Sequence, residues 1–265
     1  MVTFRAGIEE GPKEVKSRIL ELFNKVKKNY NDVIDSSDEI ILDEYSLTYI
    51  VGELQQYSIL ESSRDAVSDA FEVFIGHALK GGQGQFFTPR NVVKMVVEMV
   101  APSHGQKIID PACGSGGFLV ESLRYVWLKA EKEFEELGWP KHEIEIEKQK
   151  IAIKNIRGID KDYFLSKVAK AYMALLGDGR GGVFCENSLE NPNHWSKKTR
   201  DEVKMEYFDI VLTNPPFGSK IPVKGDEILK QYDLGHSFKL DKKTDKYVKG
   251  KLQQKETPQI LFIER

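Results

Sequence analysis

The sequence predicts a doubly wound α/β fold, a mostly parallel sheet flanked by helices, preceded by a helical N-terminal region. Three observations predict it. From residue 81 to about residue 218, short apolar runs alternate with amphipathic runs at helical spacing, the pattern of parallel strands joined by crossover helices. The polar motifs follow directly on the apolar runs, at the carboxyl ends of the predicted strands, where such sheets hold their ligands. Residues 1–80 carry helical periodicity alone.

Length and composition frame that reading. The chain has 265 residues, 40% hydrophobic and 30% charged, enough for one large domain with an appendage. No run approaches the roughly 18 consecutive apolar residues of a membrane helix. The opening Met1-Val2-Thr3-Phe4-Arg5 lacks the apolar stretch of a signal peptide. Cys113 and Cys185 lie in no spacing that suggests a metal site or a disulfide. A cytoplasmic protein with no membrane partner and no metal is therefore expected. The net charge of -2 argues against a surface that binds nucleic acid everywhere, but it leaves room for a local basic groove.

In the first region, Val15, Ile19, Leu20, Phe23 and Val26 share one helical face. Ser62 with Asp65 makes a capping-box-like start to a second helix, whose stripe is Val67, Phe71, Phe74, Ile75 and Ala78. Lys80 to Gly84 then breaks the pattern. Thr88 is the expected N-cap, and Pro89 the expected first residue, of a helix running to about Val100. Strands are expected at Lys107–Asp110, Ile156–Asp160, Gly182–Cys185 and Phe208–Thr213. The last is apolar on both faces, as a buried parallel strand should be. Two segments read as insertions: the charged run from Glu131 to Lys150, expected as a solvated helix and loop, and the lysine-rich run from Gly218 to Lys255. The lysine-rich run, with Tyr232, Phe238 and Tyr247 interleaved, is expected to be mobile until its lysines meet phosphates. A solvated loop without function is the alternative.

The glycine-rich turn Asp110-Pro111-Ala112-Cys113-Gly114-Ser115-Gly116-Gly117-Phe118 lies between a predicted strand and a predicted helix. Glycine permits positive φ and lets a ligand meet bare backbone, and the following helix directs free N–H groups at whatever sits there. Asp110, Ala112, Gly114, Ser115, Gly116 and Gly117 are its candidate cofactor contacts. Such a turn alone also suits other nucleotides. Asp160 at the end of the next strand is placed to accept from ribose hydroxyls, and Asn187 and Ser188 after the third to read an adenine edge. Together they describe one adenosine-bearing ligand, and the whole run matches S-adenosylmethionine binding. Upstream, Gln85-Phe86-Phe87-Thr88 adds a hydroxyl and a helix N-terminus for a carboxylate, and aromatic faces for a sulfonium cation.

Asn214-Pro215-Pro216-Phe217 follows the fourth strand. Its two prolines fix the backbone and remove donors, so carbonyl acceptors are presented rigidly. An exocyclic amine is a poor nucleophile while its lone pair is delocalised into the ring. Accepting its two hydrogens at the Asn214 side-chain oxygen and the Pro215 carbonyl frees that pair for attack. Phe217 is expected to stack on a base taken out of the duplex.

On these segments the chain resembles the modification (methylation) subunit of type I restriction-modification systems, within the DNA adenine-N6 methyltransferase family. The likeness covers most of residues 45–218. It implies transfer of a methyl group from S-adenosylmethionine to adenine in double-stranded DNA, and a methyltransferase domain over residues 81–265. It also implies a separate specificity subunit and a second modification subunit, with a restriction subunit left open. Members of that family carry further strands after the tetrapeptide, so the expectation is a C-terminally truncated domain. Its last run, Thr257 to Arg265, starts as a helix with Pro258 near its first position. An RNA or protein-glutamine methyltransferase is one rival reading, since the tetrapeptide also suits planar amides. A catalytically silent binding or assembly module is the other.

Overall fold

The computed structural model describes residues 3–7, 9–31, 33–57, 70, 73, 88–176, 182–218 and 221–265. The chain divides into two compact units, Met1–Gly81 and Gly82–Arg265. The predicted second helix after Ser62 falls almost wholly outside the described residues, as do Gln85, Phe86 and Phe87. No helix among the described residues is long and apolar enough to cross a membrane.

In the first unit, α1 (Pro12–Asn29) begins with proline at its first turn, where a missing N–H costs nothing. Its stripe buries Val15 and Ile19 against Leu47 and Val51 of α2 (Glu44–Leu54). That second helix is capped by Asp43, whose carboxylate accepts the N–H groups of Tyr45 and Ser46, both at 2.9 Å.

The second unit is built on a parallel sheet in the order β3-β2-β1-β4. Its strands are β1 (Ile108–Asp110), β2 (Ile156–Asp160), β3 (Val183–Cys185) and β4 (Ile210–Val211). The chain moves outward from β1 through β2 to β3, then returns to the other side of β1, so the topological switch point lies between β1 and β4. In register, Ile109 of β1 sits opposite Val211 of β4, and Asp110 opposite Gly158 of β2.

Helix α3 (Arg90–Val100) packs on α4 (Gly117–Glu136), and α4 in turn on β1 and β2. The sheet's Ile109, Ile159 and Phe184 bury against Trp195, Val203 and Phe208. Each such side chain contributes about 1.5–3 kcal/mol on full burial. The β1–β2 crossover continues through α5 (Lys141–Asn155), and α6 (Tyr163–Leu175) joins β2 to β3. Gly158 is needed where these layers meet, since a Cβ there would lie 2.4 Å from Leu119 Cδ1.

Four expectations change. The charged run from Glu131 to Lys150 is the end of α4 and most of α5, not a helix and a loop. It is anchored because Lys148 is buried, with Nζ 3.0 Å from Glu131 and 2.8 Å from Glu145, while the Trp127 indole donates to its carbonyl. Strand β4 is not covered on both faces: Val211 is 60% exposed, and no strand among the described residues pairs with its outer edge. Pro89, not Thr88, holds the N-cap position of α3, its carbonyl accepting from Val92 and Val93, and no side chain caps that helix. The lysine-rich segment is folded. It contains β5 (Val223–Lys224) paired with β8 (Lys255–Glu256), the short helix α8 (Asp226–Leu229), and an antiparallel ribbon of β6 (His236–Asp241) and β7 (Lys246–Leu252). Between α6 and β4 lies α7 (Lys197–Glu202), and α9 (Pro258–Glu264) follows β8 with Pro258 in its first turn. The segment is held because Leu229, Tyr232 and Leu261 form a buried cluster with Leu189.

Candidate functional site

Strand ends β1, β2 and β3 are laced together by backbone and carboxylate hydrogen bonds. Asp110 closes β1 and is buried, its Oδ1 accepting the Ala112 N–H at 3.0 Å. The Cys113 N–H extends the ladder to the Ile159 carbonyl at 2.9 Å. Asp160 closes β2, and its two oxygens accept the N–H groups of Gly114 and Asp162, each at 2.8 Å. Its carbonyl accepts from Glu186 N–H at 3.0 Å, which ties in the end of β3.

The glycines of the turn do different work. Gly114 has φ +53, and a Cβ there would meet nothing within 4 Å, so the backbone faces open space. Gly116 has φ +90, and a Cβ there would approach Ala169 Cβ to 3.2 Å, so it fixes the turn against α6. Ser115 lies half-buried between them, and Gly117 opens α4. No side chain caps α4, which leaves its first-turn N–H groups for a ligand.

Burial pushes the Asp110 carboxyl up to about 7, with the neighbouring Asp160 carboxylate adding to the effect. The Thr213 hydroxyl, at the end of β4, pulls the other way from close by, without meeting full hydrogen-bond geometry. Asp160 is raised too, chiefly by burial. Among the described residues neither carboxylate has an ion-pair partner. The donor set is thus two desolvated carboxylates, bare backbone and a helix N-terminus: chemistry that suits a ligand with a positive charge, hydroxyls and a carboxylate. The Cys113 thiol is pushed well above its usual range by burial and by both carboxylates, so it stays a neutral thiol.

The Asp110 shift gives a signed prediction. Its folded value lies above the ordinary carboxylate value, so the associated stability is fully present below about pH 4 and is lost as pH rises through about 7. Between those limits the slope reaches about 1.4 kcal/mol per pH unit. Asp110→Asn should flatten the pH profile of the denaturant midpoint over that window, and an identical profile would refute the assignment.

Asn187 and Ser188 sit in a tightly held loop after β3. The Ser188 hydroxyl is buried and donates to the Pro111 carbonyl of the glycine turn. Asn187 Oδ1 accepts the Leu189 N–H and its Nδ2 donates to Glu190, both at 3.1 Å. Three side chains that sequence reasoning did not single out as site residues hold this loop from outside. The Trp195 indole donates to the Asn187 carbonyl at 3.0 Å, the Tyr232 hydroxyl to Leu189 at 3.0 Å, and Arg265 to Glu190 at 3.2 Å. Tyr232 carries a sequence signal only as an aromatic among lysines.

Asn214, Pro215, Pro216 and Phe217 leave β4 on the far side of β1 from Asp160. The Asn214 Nδ2 donates to the Thr88 hydroxyl at 2.9 Å, which leaves its Oδ1 as an acceptor. Pro216 is exposed, and Phe217 is 66% exposed. Gly218, at φ +109, takes the chain away, and its N–H donates to Gln259 of α9 at 3.4 Å.

The chain has relatives among known proteins. The family model described as N-6 DNA Methylase matches residues 62–263. The methylase subunit of the type I restriction enzyme StySPI from Salmonella potsdam is 29% identical over 160 residues, 59% of this chain and 28% of that protein. The MjaVII methylase subunit from Methanocaldococcus jannaschii is 27% identical over 234 residues, 82% of this chain and 36% of that protein. The chain therefore spans about a third of these relatives' length. Among solved structures, a modification subunit assigned to a type I restriction enzyme from Vibrio vulnificus superposes with a TM-score of 0.56 at 24% identity, over 88% of this chain and 41% of that one. A protein from Listeria monocytogenes assigned as a class I S-adenosylmethionine-dependent methyltransferase gives 0.55 at 15% identity, over 90% and 59%. These two likenesses show the fold alone, an α/β domain on a parallel sheet. With its model matched over three quarters of the sequence, the chain belongs to the N-6 DNA Methylase family.

Proposed function

We propose that this chain carries the methyl-transfer site of a DNA adenine-N6 methyltransferase, acting as the modification subunit of a type I restriction-modification system. The observation that carries the reading is the pairing, across the switch point, of the Asp110 to Gly117 turn with Asn214-Pro215-Pro216-Phe217.

S-adenosylmethionine suits the donor set of the turn, and when bound it supplies a methyl group on a sulfonium centre that is already activated. Asp160 would accept from ribose hydroxyls with the lone pairs its two backbone donors leave unused. Gly114, Ser115 and the first turn of α4 would receive the amino-acid end. Asp110 would face positive charge, which lowers its proton affinity, so binding should release a proton near neutral pH. Asn187 would present its amide at the adenine edge while Ser188 braces the turn. Gln85, Phe86 and Phe87, which the sequence also assigns to the cofactor, lie outside the described residues.

At the other half of the site, Asn214 Oδ1 and the Pro215 carbonyl accept the two hydrogens of the target amine. The nitrogen then leaves the ring's conjugation, with its lone pair directed out of the plane. The proton it must shed departs along one of those hydrogen bonds. Phe217, already exposed, stacks on the extruded base.

Thr88 acts here as a positioning residue, since its hydroxyl receives the Asn214 amide and so turns the oxygen towards the base. Thr88→Val should lower kcat about tenfold with little change in KM, and Thr88→Ser should restore it. Equal loss in both variants would refute the role.

Similarity to type I methylase subunits supports double-stranded DNA as substrate, with a specificity subunit and a second modification subunit as partners and a restriction subunit left open. The test is incubation of the chain, with and without a specificity subunit, with labelled S-adenosylmethionine and DNA, RNA or protein. Label in DNA alone is expected; label in RNA or protein alone would overturn the reading.

A further inference from the structure

The β6–β7 ribbon belongs to no part of the site described above, and its chemistry is unlike the rest of the chain. Residues 236–252 contain six lysines and two aspartates, in a chain whose net charge is -2. All six lysines, Lys239, Lys242, Lys243, Lys246, Lys249 and Lys251, are exposed. Only Lys249 has an ion-pair partner among the described residues, Asp233 at 2.5 Å.

Register sorts the side chains by face. Phe238 pairs with Lys249 and Leu240 with Tyr247, so these four share one face, and Lys239, Val248, Asp241 and Lys246 share the other. Phe238 and Tyr247 are 41% and 72% exposed. At the tip, Asp241 accepts from the Lys243 N–H and the Thr244 hydroxyl, both at 2.9 Å, so one of the two aspartates is occupied in shaping the turn.

The root is fixed beside the candidate site. Leu252 packs on the cluster of Leu189, Leu229, Tyr232 and Leu261, and the Gln253 N–H donates to the Gly235 carbonyl at 2.9 Å. Leu189 directly follows Asn187 and Ser188. Gln259, on the helix that supplies Leu261, accepts from the N–H of Gly218, the residue after the tetrapeptide. A two-stranded ribbon alone is marginal in water, so this anchorage is what keeps it formed.

We infer that the ribbon is a phosphate-contacting arm for duplex DNA, with Lys242, Lys243 and Lys246 at and beside its tip making the contacts. Uncompensated ammonium groups on a projecting ribbon are complementary to a phosphate backbone, and aromatic side chains among them add sugar and base contact without sequence choice. A protein partner docking on the apolar side chains would gain nothing from the unpaired lysines. The inference rests on DNA as the substrate proposed above.

The test is titration of the full chain with a short duplex across a range of salt concentrations, comparing wild type with Lys242→Gln/Lys243→Gln/Lys246→Gln and the corresponding triple arginine variant. Each lost phosphate contact lowers the slope of log K against log salt by about 0.9. The triple glutamine variant should lose about 2 to 3 from that slope and bind more than tenfold more weakly at low salt, and the arginine variant should keep both. An unchanged slope overturns the inference, as does a full chain that binds no duplex at the lowest salt, which leaves the ribbon to a protein partner. Methyl transfer is scored separately. A chain that methylates DNA with an unaltered slope refutes the arm and spares the site. A chain that loses slope as expected yet transfers no methyl refutes the site and spares the arm.

Discussion

Asn214→Ala is expected to lower methyl transfer by about two to three orders of magnitude, the scale seen when one preorganised hydrogen-bonding group is removed from a reacting centre. The side chain is exposed, so the loss should come without loss of fold. Its hydrogen bond to Thr88, at 2.9 Å, is on the donor side of the amide. The acceptor side is what alanine removes from the reacting amine. Cofactor affinity should stay within a few-fold, because Asn214 follows β4 while the glycine turn follows β1. Asn214→Asp is the informative companion, since it keeps an acceptor oxygen and loses the donor to Thr88. Rate measurements at saturating cofactor that left Asn214→Ala within threefold of wild type would remove Asn214 from the chemistry.

Asp160→Ala should weaken S-adenosylmethionine binding by about 10- to 100-fold, the loss of one charge-assisted bond worth about 1.5–3 kcal/mol. The substitution also orphans the N–H groups of Gly114 and Asp162. The glycine turn should therefore loosen as well as lose its carboxylate. Burial raises the Asp160 pKa, so removing the charge also relieves a desolvation cost. Folding stability should consequently fall less than two lost hydrogen bonds suggest. Calorimetric titration with the cofactor checks the first part and denaturant unfolding the second. Tight binding by Asp160→Ala would mean that the carboxylate serves the turn and not the ligand.

The central sheet was legible because its strands are short, apolar and punctuated. Ile108-Ile109-Asp110 and Ile156 to Asp160 each end in an aspartate, and those endings lie on the side of the sheet that carries the candidate site. The tetrapeptide's place at the end of β4 followed from the same logic. What sequence reasoning missed was of two kinds. One was partnership across distance: Thr88 has every local feature of an N-cap, yet its hydroxyl serves Asn214, 126 residues on. Nothing within a helix-length window carries that information. The other was composition masking periodicity. Phe238-Lys239-Leu240 does alternate, but lysine is a poor strand former and the turn that follows has a non-glycine residue, Asp245, at φ +52. The burial of Leu229, Tyr232 and Leu261 with Leu189 then orders a segment that composition alone reads as solvated. Strand β4 erred in the opposite sense. Its residues are apolar on both faces, but Val211 lies open to solvent.

The loop after β3 shows how one segment can carry both architecture and recognition. Ser188 bonds to Pro111 of the glycine turn, so the segment proposed to read adenine is mechanically coupled to the segment proposed to hold the rest of the cofactor. Tyr232, Trp195 and Arg265 support that coupling from three directions, with the Arg265 guanidinium 5.1 Å from the Trp195 ring centre.

The most direct test of the account is nucleoside analysis of duplex DNA after incubation with S-adenosylmethionine and the chain, supplied with a specificity subunit. The account predicts N6-methyladenine in the digest from wild type, and none above background from Asn214→Ala. Methylation at cytosine, or equal N6-methyladenine from both proteins, would contradict it.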